Sequence, residues 1–241
     1  MNFNLNVAKA LLGAAVVAGA VTAISQPASA ISFNTTLGST STYSGVTTVG
    51  FDNPGPGVVV PSGSSVSVLG GYSENGITFK NDANPTTAHI ANGFSNNQFA
   101  SPPGGTANYL TVGSFGSENV TVDLGGLKGY FGLLIGSLDT FNSIAFFRTG
   151  EVNPIKSYGG ADLPPTAPNG DQTVGKYYNF FGDNNSDLFD RVVLGSTKAA
   201  FEVDNIATRA AIPTPALLPG LIGMGVAAWR KRKGEAAQSE A

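Results

Sequence analysis

Residues 118–139 read ENVTVDLGGLKGYFGLLIGSLD. In the first part, Val120, Val122 and Leu124 fall on one side of an extended chain, and Thr121 and Asp123 on the other. That period of two is what a half-buried strand requires. The second part, GYFGLLIGSLD at 129–139, is almost continuously apolar and suits a central strand with both faces covered. SIAFFRTG at 143–150 follows after a short polar turn, which predicts an antiparallel hairpin between 129–139 and 143–150.

The same grammar extends in both directions. GVTTVGFDN at 45–53, NGITFKND at 75–82 and NYLTVGS at 108–114 each join an apolar-rich stretch to turn residues. KYYNFFG at 176–182, FDRVVLGS at 189–196 and AAFEVDNIA at 199–207 do the same after it. With ENVTVDLGG at 118–126 counted separately, about nine strands separated by turn signals predict an all-β fold. The expected form is an antiparallel β-sandwich of jelly-roll type. Two stretches read as surface loops, DNPGPGVVVPSGSS at 52–65 and GGADLPPTAPNGDQ at 159–172. No internal domain boundary is evident, and helical periodicity is confined to the two ends.

Residues 31–212 carry eight Lys or Arg against fourteen Asp or Glu. A nucleic-acid binder needs a positive footprint to displace counterions from phosphate, and this balance excludes one. The 241-residue chain contains no cysteine, which excludes disulfides, thiolate metal sites and cysteine nucleophiles. A chain without disulfides must rest on its core or on bound ions.

Residues 1–30 read MNFNLNVAKALLGAAVVAGAVTAISQPASA. Lys9 precedes a short apolar run, and Ala28, Ser29 and Ala30 give the small-x-small pattern of signal-peptidase cleavage before Ile31. The run is too short to span a bilayer comfortably, so a cleaved signal helix is expected rather than an anchor. The tail has an equally ordered pattern. Pro213, Thr214, Pro215 and Ala216 open an apolar stretch that ends at Trp229, and Arg230, Lys231, Arg232 and Lys233 follow. As a helix, 216–229 reaches roughly 21 Å against about 30 Å of hydrocarbon. Pro219, Gly220, Gly223 and Gly225 weaken it further. It suits a transient stop with its cations in the cytoplasm. The expected organisation is a signal peptide at 1–30, a sandwich domain at 31–212, a sorting signal at 213–233 and a cytoplasmic tail at 234–241.

The tail resembles the C-terminal sorting signal of exosortase substrates, in a PEP-CTERM-like variant that opens Pro-Thr-Pro-Ala and is associated with cyanobacteria. GSLDTFNSIAFF at 136–147 and FEVDNIA at 201–207 resemble the lectin-like domain of exosortase-dependent surface proteins. The resemblance implies secretion by signal peptidase and the export machinery, then transient anchoring in the inner membrane. Recognition and cleavage by an exosortase-type membrane protease near 213–216 would follow, with delivery to the cell surface or the exopolysaccharide. The resemblance gives a place and a fold more than an activity; the residues themselves lead us to expect a non-catalytic protein, the alternative being a glycan-binding, lectin-like module. FxVDN is also similar to the last strand of jelly-roll carbohydrate-binding modules. That likeness implies a structural calcium site built on an acid in an early strand and the Asp of the last, here Asp52 and Asp204. The alternative is that both aspartates bond turn amides.

Other chemistry is thinly represented. His89 is the one histidine, so a Ser-His-Asp triad would have to use it, and no G-x-S-x-G pattern is present. One His without Cys cannot form a histidine-based zinc site. Glu74, Glu118, Glu151 and Glu202 form no pair in related aromatic contexts of the kind glycoside hydrolysis needs. DNNSD at 183–187 fails as an EF-hand, with Leu188 where the turn glycine belongs and Leu194 at position twelve; it reads as an Asx-rich turn. Asp139 and Asn142 are expected in a turn, bonding backbone amides or touching a ligand. Tyr158, Tyr177 and Tyr178 are the candidate sugar-stacking platforms, packing being the alternative.

Overall fold

The computed structural model describes residues 31–55, 58–68, 71–82, 89–95, 98–114, 116–163 and 176–211. The signal helix and the C-terminal apolar helix expected from the sequence lie outside these residues. Among them, strands run in the order β1 (Ile31–Thr36), β2 (Thr47–Val49), β3 (Ser64–Ser67), β4 (Tyr72–Glu74) and β5 (Ile77–Asn81). There follow β6 (His89–Asn92), β7 (Phe94–Ser95), β8 (Phe99–Ala100), β9 (Asn108–Val112) and β10 (Glu118–Ile135). The last are β11 (Asn142–Phe147), β12 (Lys156–Gly159), β13 (Lys176–Gly182), β14 (Phe189–Ser196) and β15 (Phe201–Ala210). Short 3-10 turns occupy Gly160–Asp162 and Asn185–Asp187. All strand pairing among the described residues is antiparallel, and the fold is an all-β sandwich. No described helix is long and apolar enough to cross a membrane.

One strand belongs to both layers. Residues 118–123 of β10 pair with β14 on one side, and residues 120–123 pair with β5 on the other. Residues 130–135 of the same strand pair with β13 and β15. The first layer is therefore β4-β5-β10-β14-β11-β12. The second is β1-β13-β10-β15-β9-β6-β3, with β2 also on β15. The expected pair of strands at 118–126 and 129–139 is instead one bent strand. The bend lies where the register shifts between Asp123 and Lys128. Gly125 and Gly126 there have φ of 66° and 137°, a region open to glycine. A Cβ on Gly125 would stand 2.6 Å from the Gly76 carbonyl oxygen.

The expected hairpin of 129–139 with 143–150 is not formed. β11 pairs with β12 and β14, because the chain crosses to the other layer after Ile135. The layers meet through an aromatic core. Phe146 of the first layer lies 6.0 Å from Phe131 and 5.0 Å from Phe180 of the second, and 4.9 Å from Phe189, measured between ring centroids. The continuous apolar character of 130–135 has the expected cause, since all six residues are buried. Phe131, Leu133 and Ile135 face the inter-layer core. Tyr130 and Leu134 face the other way, with Tyr177 and Ala207, and Tyr43 and Val46 pack over them. The cover is thus segment 37–46 rather than a third layer.

The two ends of the sandwich differ. Glu118 lies opposite Ser196, which lies opposite Asn142, so residues 113–114 and 116–117 and loops 136–141 and 197–200 cluster at one end. Lys128 lies opposite both Phe189 and Ala210, and Ile31 lies opposite Gly182. Turn 124–127, loop 148–155 and turn 183–188 therefore share the other end with the two limits of the described domain.

Candidate functional site

Two places have geometry beyond packing. The first is the open outer face of the β5-β10-β14-β11 layer. Pairing sets side chains across it in rows: Asn119, Gly195 and Ser143 in one, then Lys80, Thr121, Val193 and Ala145 in the next. Asp123, Arg191 and Phe147 form the third. The consecutive phenylalanines of β11 explain the last, since neighbours on a strand point to opposite faces. Phe146 enters the core and Phe147 stays half-buried on this surface. The Arg191 guanidinium carbon stands 4.4 Å from the Phe147 ring centroid. Its Nη2 donates to the Glu151 carbonyl at 3.3 Å, and its Nε has no partner. Thr121 donates its hydroxyl to Asp82 at 2.6 Å. Val152 overhangs this groove and is 90% exposed. A flat floor of small residues, edged by a stacked guanidinium and by hydroxyls and amides, can hydrogen-bond a polyhydroxylated chain. The Phe-Phe pair was the signal available for this face, and sequence reasoning passed over it.

The second place surrounds Asp204. Asn205, with φ of 47°, forms a bulge where β15 slips against β10 between Gly132 and Leu134. Asp204 is fully buried. Its Oδ2 accepts from the Thr106 backbone at 2.5 Å and its Oδ1 from the Asn205 backbone at 2.6 Å. The Thr106 hydroxyl oxygen is 2.7 Å from the Gly50 carbonyl, 2.8 Å from the Asn108 carbonyl and 3.0 Å from Asp204 Oδ2. One hydroxyl proton cannot serve three acceptors. Asp52 and Asn205 also bring oxygens to this spot. Their Oδ2 and Oδ1 lie 3.7 and 3.8 Å from where a Cβ on Gly50 would be. A Cβ on Gly105 would come within 2.6 Å of Asp204 Oδ2 and 3.0 Å of the Pro102 carbonyl. Burial, partly offset by the hydrogen bonds from Thr106 and Asn205, pushes Asp204 up to about 6, and Asp52 adds to the rise.

Sequence reasoning singled out Asp52 and Asp204, and the fold brings them to one neighbourhood, Asp52 exposed and Asp204 inside. Among the described residues no three His, Cys, Asp or Glu side chains gather around a metal position. The residues that fit a cation here are two carboxylates with a hydroxyl and carbonyl oxygens, the hard donor set calcium takes. Thr106, Gly50 and Asn108 were not read from the sequence, because a backbone carbonyl has no sequence signature.

The remaining candidates take structural positions. Ser67 and His89 face each other across β3 and β6, with Ser67 Oγ 3.2 Å from His89 Nδ1. His89 Nε2 is 3.8 Å from Glu118 Oε1, beyond hydrogen-bond reach. Glu118 instead accepts from the Gly113 backbone at 2.8 Å and from the Asn81 amide. Serine, histidine and carboxylate thus line up without the orienting bond a nucleophilic triad needs. Glu202 accepts from the Ala100 backbone at 2.9 Å. Asp139 and Asn142 are buried in the turn between layers, where the Asn142 N–H donates to the Asp139 carbonyl at 3.0 Å. In 183–187, Asn184 and Ser186 donate to the buried Asp187 carboxylate, the Asx-rich turn expected. Tyr158, Tyr177 and Tyr178 are buried and offer no face to a sugar. Tyr177 donates to the Asn205 carbonyl at 2.9 Å, and burial raises its hydroxyl. The signal residues Ala28 and Ala30, the sorting motif 213–216 and the basic residues 230–233 lie outside the described residues.

No protein-family model and no curated protein matches the sequence. A solved structure described as CpGH89CBM32-6 produced by Clostridium perfringens is similar at 13% identity. The match covers 57% of this chain and 96% of that one, with a TM-score of 0.34.

Proposed function

We propose that this chain is an exported, non-catalytic surface or extracellular-matrix protein, built on a jelly-roll sandwich and delivered by an exosortase-type sorting system. The observation that carries the reading is the order of the tail: Pro213, Thr214, Pro215 and Ala216, then a short broken apolar stretch, then Arg230, Lys231, Arg232 and Lys233. The domain supports it. Glu118, Glu202 and Asp204 are all engaged by the chain's own backbone N–H groups, so they hold loops in place. Calcium among Asp204, Thr106, Asn108, Gly50 and Asp52 is part of the same proposal. It would supply charge compensation and tie the end of β2 to β15, with no catalytic part.

Mass spectrometry of protein recovered from cells and from medium tests the delivery. The expected extracellular form begins at Ile31, ends within 212–216 and lacks the basic tail. Surface protein that still carries Lys233 at full abundance would overturn it.

A second reading is favoured by the stacked Arg191–Phe147 pair on the open face: a glycan-binding module that retains the protein in exopolysaccharide. Pull-down on the producing cell's polysaccharide tests it. Phe147→Ala and Arg191→Ala should each lose retention without a change in melting temperature. Equal retention of both variants removes this reading and leaves the first intact.

A further inference from the structure

We infer that the Lys128 end of the sandwich is a bilayer-facing surface, on which the domain stands while its tail is held in the membrane; this rests on the tail reading above. Both limits of the domain meet there. Ile31 pairs with Gly182, and Ser32 donates its hydroxyl to Asp183 at 3.3 Å. β15 leaves beside them, with Ala210 opposite Lys128. A Cβ on Gly129 would lie 3.4 Å from the Ala211 Cα and 3.5 Å from the Gly182 carbonyl oxygen. Gly182, the strand partner of Ile31, and Ala211 therefore flank a single residue.

The connecting chain is short. Four residues, 212–215, separate Ala211 from the apolar stretch that starts at Ala216. Fully extended, the five steps from Ala211 to Ala216 reach about 17 Å. The headgroup zone on one side of a bilayer takes about 5–8 Å of that, half the difference between hydrocarbon thickness and total thickness. Little is left for a linker, so this end of the fold sits at the headgroups. Its chemistry suits that position. Leu127 is 46% exposed at the tip of the 124–127 turn. Asp183, Asn184 and Asn185 are exposed beside it, and Lys128 and Arg209 are half-buried at the same edge. The Asn184 and Asn185 amides and the Lys128 and Arg209 cations meet phosphate and glycerol oxygens, the Asp183 carboxylate is held by the Ser32 hydroxyl, and a single leucine reaches the acyl boundary.

Two consequences follow. Ile31, which follows the first cut, and Ala211, which shortly precedes the second, share this end, so the proposal puts both cuts on the membrane side of the domain. Residues 116–117 and loops 136–141 and 197–200, at the Glu118 end, point away from the bilayer.

The absence of cysteine allows single-site labelling of the full chain. Leu127→Cys and Asn185→Cys mark the Lys128 end; Ser117→Cys and Thr197→Cys mark the other. Each is labelled with an environment-sensitive fluorophore and reconstituted in phosphatidylglycerol–phosphatidylethanolamine vesicles containing a headgroup-level nitroxide lipid. Trp229, the one tryptophan, reports on the tail in the same sample through an acyl-chain nitroxide. The expected result is Trp229 quenched, labels at 127 and 185 quenched, and labels at 117 and 197 unaffected. Trp229 quenched with the four labels alike, or with the order reversed, overturns the surface and leaves the tail reading standing. Trp229 unquenched removes the tail reading, and the surface with it.

Discussion

Asp204 gives the sharpest test, because two accounts of it predict opposite responses to pH and calcium. Suppose first that no cation is bound. Burial raises its carboxyl from the ordinary 3.8 to about 6 in the folded protein. Below about pH 4 both folded and unfolded chains hold the proton, and the buried neutral acid costs nothing extra. As pH rises from about 4 to 6 the unfolded chain releases its proton first. The folded state then binds more protons than the unfolded, so stability falls with pH through that window. The loss is about 3 kcal/mol by pH 7. At about 2–4 °C per kcal/mol for a domain of this size, melting should drop by about 6–12 °C across the window. Asp204→Asn serves as the reference, since it removes this titration and leaves the others. Calcium changes the sign of the story. A cation among Asp204, Thr106, Asn108 and Gly50 keeps the carboxylate ionised, and at a hundred times its dissociation constant it adds about 2.7 kcal/mol. The assay is thermal melting of wild type and Asp204→Asn between pH 4 and 7, in chelator and in millimolar calcium. The expected result is a falling melting temperature in chelator that calcium largely restores at pH 7, in wild type alone. Equal melting at pH 7 with calcium and with chelator, or a calcium response that persists in Asp204→Asn, would refute the site. A wild-type pH profile parallel to the variant's in chelator would refute the burial argument itself.

The core and the packed outer face make further claims. Phe146 touches Phe131, Phe180 and Phe189, so Phe146→Ala should cost about 3–5 kcal/mol in denaturant unfolding, while Phe147→Ala on the opposite face of the same strand costs far less. Gly132 lies beneath two tyrosines; a Cβ there would meet the Tyr130 hydroxyl and stand 2.7 Å from Tyr177 Cε1. Gly132→Ala should therefore destabilise by about 1–3 kcal/mol, the cost of overpacking, and a neutral result would mean that segment 37–46 lifts freely.

The legible part of this fold was local, and the illegible part was a choice between layers. Alternation at Val120, Val122 and Leu124 identified a strand correctly, and the unbroken apolar run at 130–135 announced cover on both faces. Neither pattern states how two adjacent stretches relate. Gly125 and Gly126 are equally compatible with the end of one strand and with a bend in a longer one, because glycine removes the steric preference that would decide. The decision comes from partners distant in sequence, β14 and β5 before the bend, β13 and β15 after it. The same blindness produced the expected hairpin with β11: residues 136–141 are long enough to turn back beside β10 or to cross to the facing layer, and the crossing is favoured by pairing with β14 and β12 and by burial of Phe146 against Phe131, Phe180 and Phe189. Several strands went unread, β1, β6 and β12 among them, because they are short and largely polar and draw their hydrogen bonds from neighbours rather than from pattern. The Asp204 site divides along the same line. Asp52 and Asp204 have names in the sequence, and the fold brings them to one neighbourhood; Thr106 and the carbonyls of Gly50 and Asn108 lie beside Asp204 only because β2, β9 and β15 converge, and a backbone oxygen looks the same at every position of a chain. Convergence also placed Ile31 and Ala211 at one end of the sandwich.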